Sequence, residues 1–446
     1  MKYLPLSAKD RAEMLQEVGA RSLDDLFVSI PEHLRLKEEL DLPAAKSEME
    51  VLNYFSEKMS ENQPFRVSFL GAGAYRHFCP SVVDALASRQ EFLTAYTPYQ
   101  PEVSQGTLQA LFEFQTLIAD IMGMDVSNAS VYDGATGTAE AVLMALRIQK
   151  KRKKVLVSGG LHPHYRDVLN TYVESLDLDM ETVPLRNNAT DLDALKQMLD
   201  KETVAVLCGY PNFLGQVEPL CEIVSLAQEH KALVISVTME ALSLALLKPP
   251  GEFGVDIAVG EAQSFGIPLQ FGGPYCGIFT CKDKYKRQMP GRLCGQTLDS
   301  EGKRAFVLTL NAREQHIRRA KATSNICTNQ GLMTLRVAIY LELMGQKGIR
   351  ELAEQNHAKA EFLKRGLAKL PGVTIDLSQP TFNEFTVELP VPASQVVDHM
   401  LTRGIQAGLD LGRFFADREN ELLVNVTECH TRGMMEEFIG EMEAVL

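Results

Sequence analysis

Four short apolar runs rich in β-branched residues constrain the fold of this chain most: KVLVSG (154–159), TVAVLCGY (203–210), ALVISVT (232–238) and VDIAVG (255–260). None alternates polar with apolar residues, so each must be covered on both faces. Between them lie HYRDVLNTYVESL, ATDLDALKQMLD and EPLCEIVSLAQEH, whose apolar residues recur at helical spacing. Strands alternating with helices in this way predict an α/β domain, doubly wound about a mostly parallel sheet, over residues 66–320.

The flanks read differently. Residues 1–65 are rich in Glu, Leu and Lys, with proline stops at Pro5, Pro31 and Pro43. They predict short helices forming an amino-terminal arm. Beyond Arg318, NQGLMTLRVAIYLELMGQKG predicts a long linking helix. GVTIDLS, NEFTVELP, PASQVVDHMLTRG, ELLVNVTE and RGMMEEFIGEMEAVL then predict a smaller α+β carboxyl-terminal domain, giving 321–446 as link and small domain. A large and a small domain with a cleft between them is an arrangement common in enzymes.

Charge and cysteine usage narrow the function. The 446 residues carry 45 Lys and Arg against 58 Asp and Glu, a net charge of −13. That argues against nucleic acid or an anionic membrane as the main partner. No run of about 18 apolar residues is present to span a bilayer, and MKYLPLSAKDRAEM lacks the apolar stretch of a secretory leader. The eight cysteines are scattered without a C-x-x-C pair, as expected for reduced thiols in a cytoplasmic protein.

Several segments are candidates for chemistry. GAGAYR (71–76) has Arg76 where a dinucleotide fingerprint needs its third glycine, and no P-loop motif occurs, so nucleotide binding is unsupported. Gly134, Ala135, Thr136, Gly137 and Thr138 open a helix; such a start offers either a phosphate cup or a tight turn into a buried helix. AYTPYQPEVSQG (95–106) is stiffened by Pro98 and Pro101 and displays Tyr96, Tyr99, Glu102 and Gln105. It reads equally as a cleft loop or as a turn packed under a domain. His162 and His164 follow a strand, where ligands bind in open sheets, but helix capping is the competing role and no metal site completes around them. NAREQHIRRAKATSNICTNQ (311–330) gathers Arg313, His316, Arg318, Arg319 and Lys321, an anion or partner site if it is not a solvated helix face.

Four of these segments, AYTPYQPEVSQG, NASVYDGATGTAEA, PPGEFGVDIAVG and REQHIRRAKATSNICT, together resemble the P-protein of the glycine cleavage system, the glycine decarboxylase. The likeness is to subunit 1, the equivalent of the amino-terminal half of one-chain enzymes, and is weaker over the last hundred residues. It implies a fold-type I pyridoxal-phosphate architecture. It also implies decarboxylation of glycine and transfer of the aminomethyl group to the lipoyl arm of H-protein, the cofactor acting as electron sink.

A Schiff base to the cofactor needs a lysine, and none lies between Lys248 and Lys282. Against the cofactor-bearing subunit, which has a His-Lys pair here, Gln263 and Ser264 occupy the place, so Ser264 marks the missing lysine. The aspartate that usually pairs with the pyridine nitrogen is also absent, with Thr238 and Glu240 the nearest polar residues. The resemblance therefore implies a chain with no catalytic residue of its own, inactive when isolated. It would partner a lysine-bearing subunit 2 that holds pyridoxal phosphate, with the Gly134–Thr138 turn a relic of a phosphate cup. Tyr96, Tyr99, Glu102 and Gln105 are then expected to reach the partner's active site. Arg313, His316, Thr323, Ser324 and Asn325 are expected as interface or pathway residues. The alternatives are a stand-alone pyridoxal-phosphate decarboxylase or aminotransferase using a lysine such as Lys248 or Lys282, and a non-catalytic partner-binding protein on the same fold.

Overall fold

The computed structural model describes residues 5–38, 40–62, 65–93, 96–270 and 272–446. They divide into two compact units, with the break between residues 63 and 64. The first unit contains the helices Ala8–Glu17 and Glu48–Ser60, each opened by a serine. Ser7 Oγ accepts from the Asp10 amide while the Asp10 carboxylate accepts from the Ser7 amide, and Ser47 and Glu50 repeat the exchange. These reciprocal caps satisfy amides that a helix start leaves unpaired. Among the described residues no helix of this unit buries a residue.

The second unit is built on a seven-stranded sheet. Its strands are β1 (Val126–Ser127), β2 (Lys154–Ser158), β3 (Asp179–Val183), β4 (Thr203–Gly209), β5 (Leu233–Thr238), β6 (Ile257–Glu261) and β7 (Gly277–Cys281). They lie in the order β1-β7-β6-β5-β4-β2-β3. The strands from β3 across to β6 are parallel, while β7 runs antiparallel to both β6 and β1. Alternate residues enter different cores. Leu156, Val206, Cys208 and Val234 join one cluster, and Val155, Val157, Leu207, Ile235 and Val237 join another. Covering both faces is what continuous apolar strands require, and each fully buried Val, Leu or Ile contributes about 1.5–3 kcal/mol.

The carboxyl-terminal part has its own core. Glu384–Glu388 and Leu409–Asp410 both pair antiparallel with Glu421–Asn425, and the helices Ala393–Thr402 and Arg432–Val445 pack against them. The GVTIDLS segment does not form a strand; Thr374 makes a single bridge to Glu388. Gly372, at φ +80°, turns the chain just before it. Val67 and Phe69 also join this core, and Val67–Ser68 pairs in parallel with Ile405–Gln406. The linking helix Gly331–Leu367 contributes Val337 and Leu341 to the large core and Leu363 and Leu367 to the small one, with a break at Gly345. A hairpin that periodicity did not reveal, Leu293–Leu298 with Arg304–Thr309, stands beside the Gln105–Met122 helix. Among the described residues no helix is long and apolar enough to cross a membrane.

Candidate functional site

In an open parallel sheet, ligands meet the carboxyl ends of the strands. Here that edge is filled by the chain itself. The loop from Gly71 to Cys79 crosses the ends of β2, β5 and β6 and is tied to each. Gln263 accepts from the Tyr75 amide at 2.8 Å and donates to the Tyr75 and Ile267 carbonyls at 2.9 and 2.8 Å. His162 Nε2 donates to the Ala72 carbonyl at 2.9 Å, and its Nδ1 accepts from the His164 amide. Burial holds the His162 ring neutral, lowering its pKa to about 4. Of the two roles open to His162, the geometry is that of a helix cap. His164 stacks edge-on to Phe414.

The small domain grips the same loop. Glu384 accepts from the Ala72 amide at 2.6 Å and from the Tyr75 hydroxyl at 3.0 Å. His77 lies between Glu428 (2.8 Å) and Glu240 (3.0 Å), all three side chains buried. Both ring nitrogens face carboxylates, so the imidazolium is the form that fits. Burial disfavours the charge, but Glu240 and Glu428 outweigh it and raise His77 to about 10. Glu384, without a cation beside it, is pushed up by burial to about 7. Tyr75, Asn212, Met239, Glu240, Asn383 and Glu384 enclose about 10 Å³ of free volume, scarcely room for one water.

The helix that starts at Gly134 is likewise supplied with its own anions. Asp133 caps it, accepting from the Thr136 amide at 2.7 Å, and Glu261 accepts from the amides of Gly134 (3.0 Å) and Cys276 (2.8 Å). The Tyr165 hydroxyl stands 2.4 Å from where a Cβ on Gly134 would lie, so the helix starts under close cover. Thr138 Oγ1 donates to the Gly134 carbonyl, and Ala135 is half-buried while Gly137 is fully buried. Burial raises Glu261 to about 7 against the pull of its two amides. Ser264 and Thr238 are buried with hydroxyls that find no partner among the described residues. Lys248 lies over the Phe253 ring, and Lys282 donates to the Gly254 carbonyl and Asp256 at the opposite, amino end of β6.

The second group of candidates converges on the Gln105–Met122 helix and the hairpin. Tyr96 is 84% exposed and Tyr99 52% exposed, and Glu102 is exposed on the short turn Pro101–Val103. Gln105 is differently placed. Its amide donates to the Pro101 and Phe306 carbonyls and accepts from the Phe306 amide, fastening the loop to the hairpin. Tyr99 rests on Arg292, a buried guanidinium (2% exposed) that donates to its hydroxyl at 2.8 Å with its carbon 5.0 Å from the ring centre. His316 meets the Tyr99 ring edge-on at 5.9 Å and Glu314 at 3.7 Å. Glu314 also lies 3.9 Å from Arg292 Nε. A cleft of about 220 Å³ opens beside Tyr96 and Thr97, lined further by Leu111, Thr328 and Asn329.

The basic run 311–330 is split by the fold. Arg313 is buried and spent on the carbonyls of Leu310, Met289 and Gly291. The Thr323 amide donates to the Arg313 carbonyl. Ser324 donates to buried Glu140 at 2.7 Å, and Asn325 is exposed. Arg292 has no signal in the sequence, because MPGR carries no periodicity or spacing that marks it. Glu261 had a signal, an acid ending an otherwise apolar strand.

The model of the glycine cleavage system P-protein family matches residues 1–442. This chain belongs to that family. It is 49% identical over 444 residues to the probable glycine dehydrogenase (decarboxylating) subunit 1 of Geobacillus sp. (strain WCH70), covering 99% of this chain and 98% of that one. A solved glycine decarboxylase (P-protein) of the glycine cleavage system, in inhibitor-bound form, superposes with a TM-score of 0.91 at 44% identity over the whole of both chains. Lactobacillus brevis glutamate decarboxylase shares the fold alone, with a TM-score of 0.67 at 14% identity over 93% of this chain and 95% of that one. The architecture is that of the fold-type I pyridoxal-phosphate enzymes, and the family's reaction is glycine decarboxylation.

Proposed function

We propose that this chain is the subunit of a heteromeric glycine decarboxylase that holds no cofactor and supports a site carried by a lysine-bearing second subunit. The observation that carries this reading is the filled strand edge. Pyridoxal phosphate does not fit there. The β6–β7 loop offers Ser264 instead of an amine, the Gly134 helix start faces Asp133 and Glu261, and three further carboxylates (Glu240, Glu384 and Glu428) surround the Tyr75–His77 loop. A phosphate at the Gly134 helix start would face Asp133 and Glu261, which already accept from the amides there. Lys248 and Lys282, the amines a stand-alone enzyme would need, lie away from this edge.

The chain's contribution is positioning. The Tyr96–Glu102 loop presents two phenols and a carboxylate on an exposed, proline-stiffened turn, and groups of that kind orient a small substrate by hydrogen bonds. The assembled enzyme would release the glycine carboxylate as CO₂ and pass the aminomethyl group to the lipoyl arm of H-protein. Residues 1–65 form the arm, 66–320 the large domain, and 321–446 the linking helix and small domain. Arg313, His316, Thr323, Ser324 and Asn325 are the candidate interface or pathway residues, with the Thr323 amide donating to the Arg313 carbonyl and Gln105 fastening the loop to Phe306.

Purified alone, the chain is expected to develop no Schiff-base absorption with pyridoxal phosphate and no glycine–bicarbonate exchange. Exchange is expected on adding subunit 2, with the two chains co-eluting on sizing. Borohydride fixation of the cofactor to a lysine of this chain refutes the reading.

A further inference from the structure

We propose that Arg292 is a positioning residue for the reaction, setting the Tyr99 phenol from beneath. The inference rests on the reading that the Tyr96–Glu102 loop completes a site in a second chain. Arg292 is among the largest fully buried side chains of the protein. Burying a guanidinium is costly unless its donors and charge are matched, and the matching here is uneven. Its one short bond goes to Tyr99, at 2.8 Å. Its contacts to Thr97 and Asn329 are both 3.4 Å, and Nε has no hydrogen-bond partner among the described residues, facing Glu314 at 3.9 Å. Glu314 in turn leaves Oε1 unpartnered.

Tyr99 is gripped at two points, through its hydroxyl and across its ring face, and His316 closes a third side. A half-exposed tyrosine would otherwise sample several rotamers. The hydroxyl also takes a defined role. Accepting from Arg292 leaves its own proton to donate outward, toward whatever the second chain presents. Glu314 balances the guanidinium, so the charge stays in place without an exposed counter-ion.

The test is a double-mutant cycle in the reconstituted two-subunit enzyme, using Arg292→Lys, Tyr99→Phe and both together. Glycine–bicarbonate exchange is normalised to assembled complex by sizing, and kcat and KM are read separately. Lysine keeps the charge but cannot reproduce the fork that spans ring and hydroxyl. Arg292→Lys is expected to lower kcat at least tenfold with the same kcat-to-KM pattern as Tyr99→Phe. The double variant is expected to lie within about twofold of the worse single one. Multiplicative losses, or a silent Arg292→Lys beside an impaired Tyr99→Phe, overturn the role of Arg292. A silent Tyr99→Phe overturns the loop reading beneath it, so the two failures are distinguishable. If Arg292→Lys does not assemble, Arg292→Gln takes its place in the cycle. Failure of both to assemble makes Arg292 a folding residue and overturns the proposal.

Discussion

His77 shows how a single side chain decides the character of the strand edge. Its ring joins Glu240 at the end of β5 to Glu428 in the small domain, so removing it leaves two carboxylates buried near one another. Breaking one member of a buried ionic group costs about 3–5 kcal/mol, and His77→Ala is expected to lose that much in urea denaturation near neutral pH. The pH dependence follows from linkage. His77 is raised to about 10 in the folded chain, so its stabilisation is complete below the unfolded pKa near 6.5 and is lost as pH climbs toward 10. Glu428 is lowered to about 2, chiefly by His77 against the cost of burial. Its stabilisation is present above about 4.5 and lost as pH falls toward 2. The gap between wild type and His77→Ala should therefore shrink between pH 6.5 and 10; an equal gap at both ends would contradict the ionic assignment.

The tyrosines make a different kind of prediction. Tyr96 is almost wholly exposed, so Tyr96→Phe should leave melting unchanged and lower exchange by about tenfold, close to 1.4 kcal/mol of transition-state stabilisation. Tyr99→Phe also strands a buried Arg292 donor, adding a stability cost of about 1–3 kcal/mol. Full exchange in both variants would remove these residues from the site.

At the scale of elements, capping and chain reversal carry most of the information. The Gly134–Ile148 helix holds Glu261 against its first amide, and burial raises that carboxyl to about 7. An acid raised on folding binds its proton more tightly in the native state, so stability falls as pH rises from about 4.5 to 7. Glu261→Gln should flatten that part of the stability–pH curve; an unchanged slope would show that Glu261 does not titrate there. Gly345 breaks the Gly331–Leu367 helix at φ +60°, ψ 175°. Nothing lies within 4 Å of an added Cβ, so Gly345→Ala pays only for backbone strain, about 1–3 kcal/mol. Calorimetry on the single variant measures this directly.

In the loop 96–106 the Tyr96 ring stands exposed, whereas the Tyr99 hydroxyl accepts from buried Arg292. Gln105 faces the hairpin because Phe306, two hundred residues on, supplies both a donor and an acceptor for its amide. The basic run 311–330 looked uniform, yet Arg313 turns inward to three carbonyls while His316 stays at the surface. Neither outcome is legible locally, since Phe306 and the Met289 and Gly291 carbonyls, which complete the bonding of Gln105 and Arg313, come from distant segments.

Among the described residues, the hydrophobic clusters all lie beyond residue 66, while the helices of the first unit bury no side chain. Residues 64–446 are expected to fold alone and melt in one cooperative transition, and a chain lacking 1–63 that aggregates or melts non-cooperatively would contradict this. The order of apolar runs determined the doubly wound sheet, because a strand without polar alternation has no face to give to water. The sequence also determined that no amine stands in the β6–β7 loop, a matter of covalent chemistry that no packing can reverse. Only the tertiary structure decided what lies across the strand ends. The Gly71–Cys79 loop, read from sequence merely as a failed nucleotide motif, is held by Gln263, Glu384 and Glu428, partners 188 to 351 residues away. Hydrogen bonds between such distant positions leave no period or spacing in a chain, and become visible when the folded strands bring their ends together.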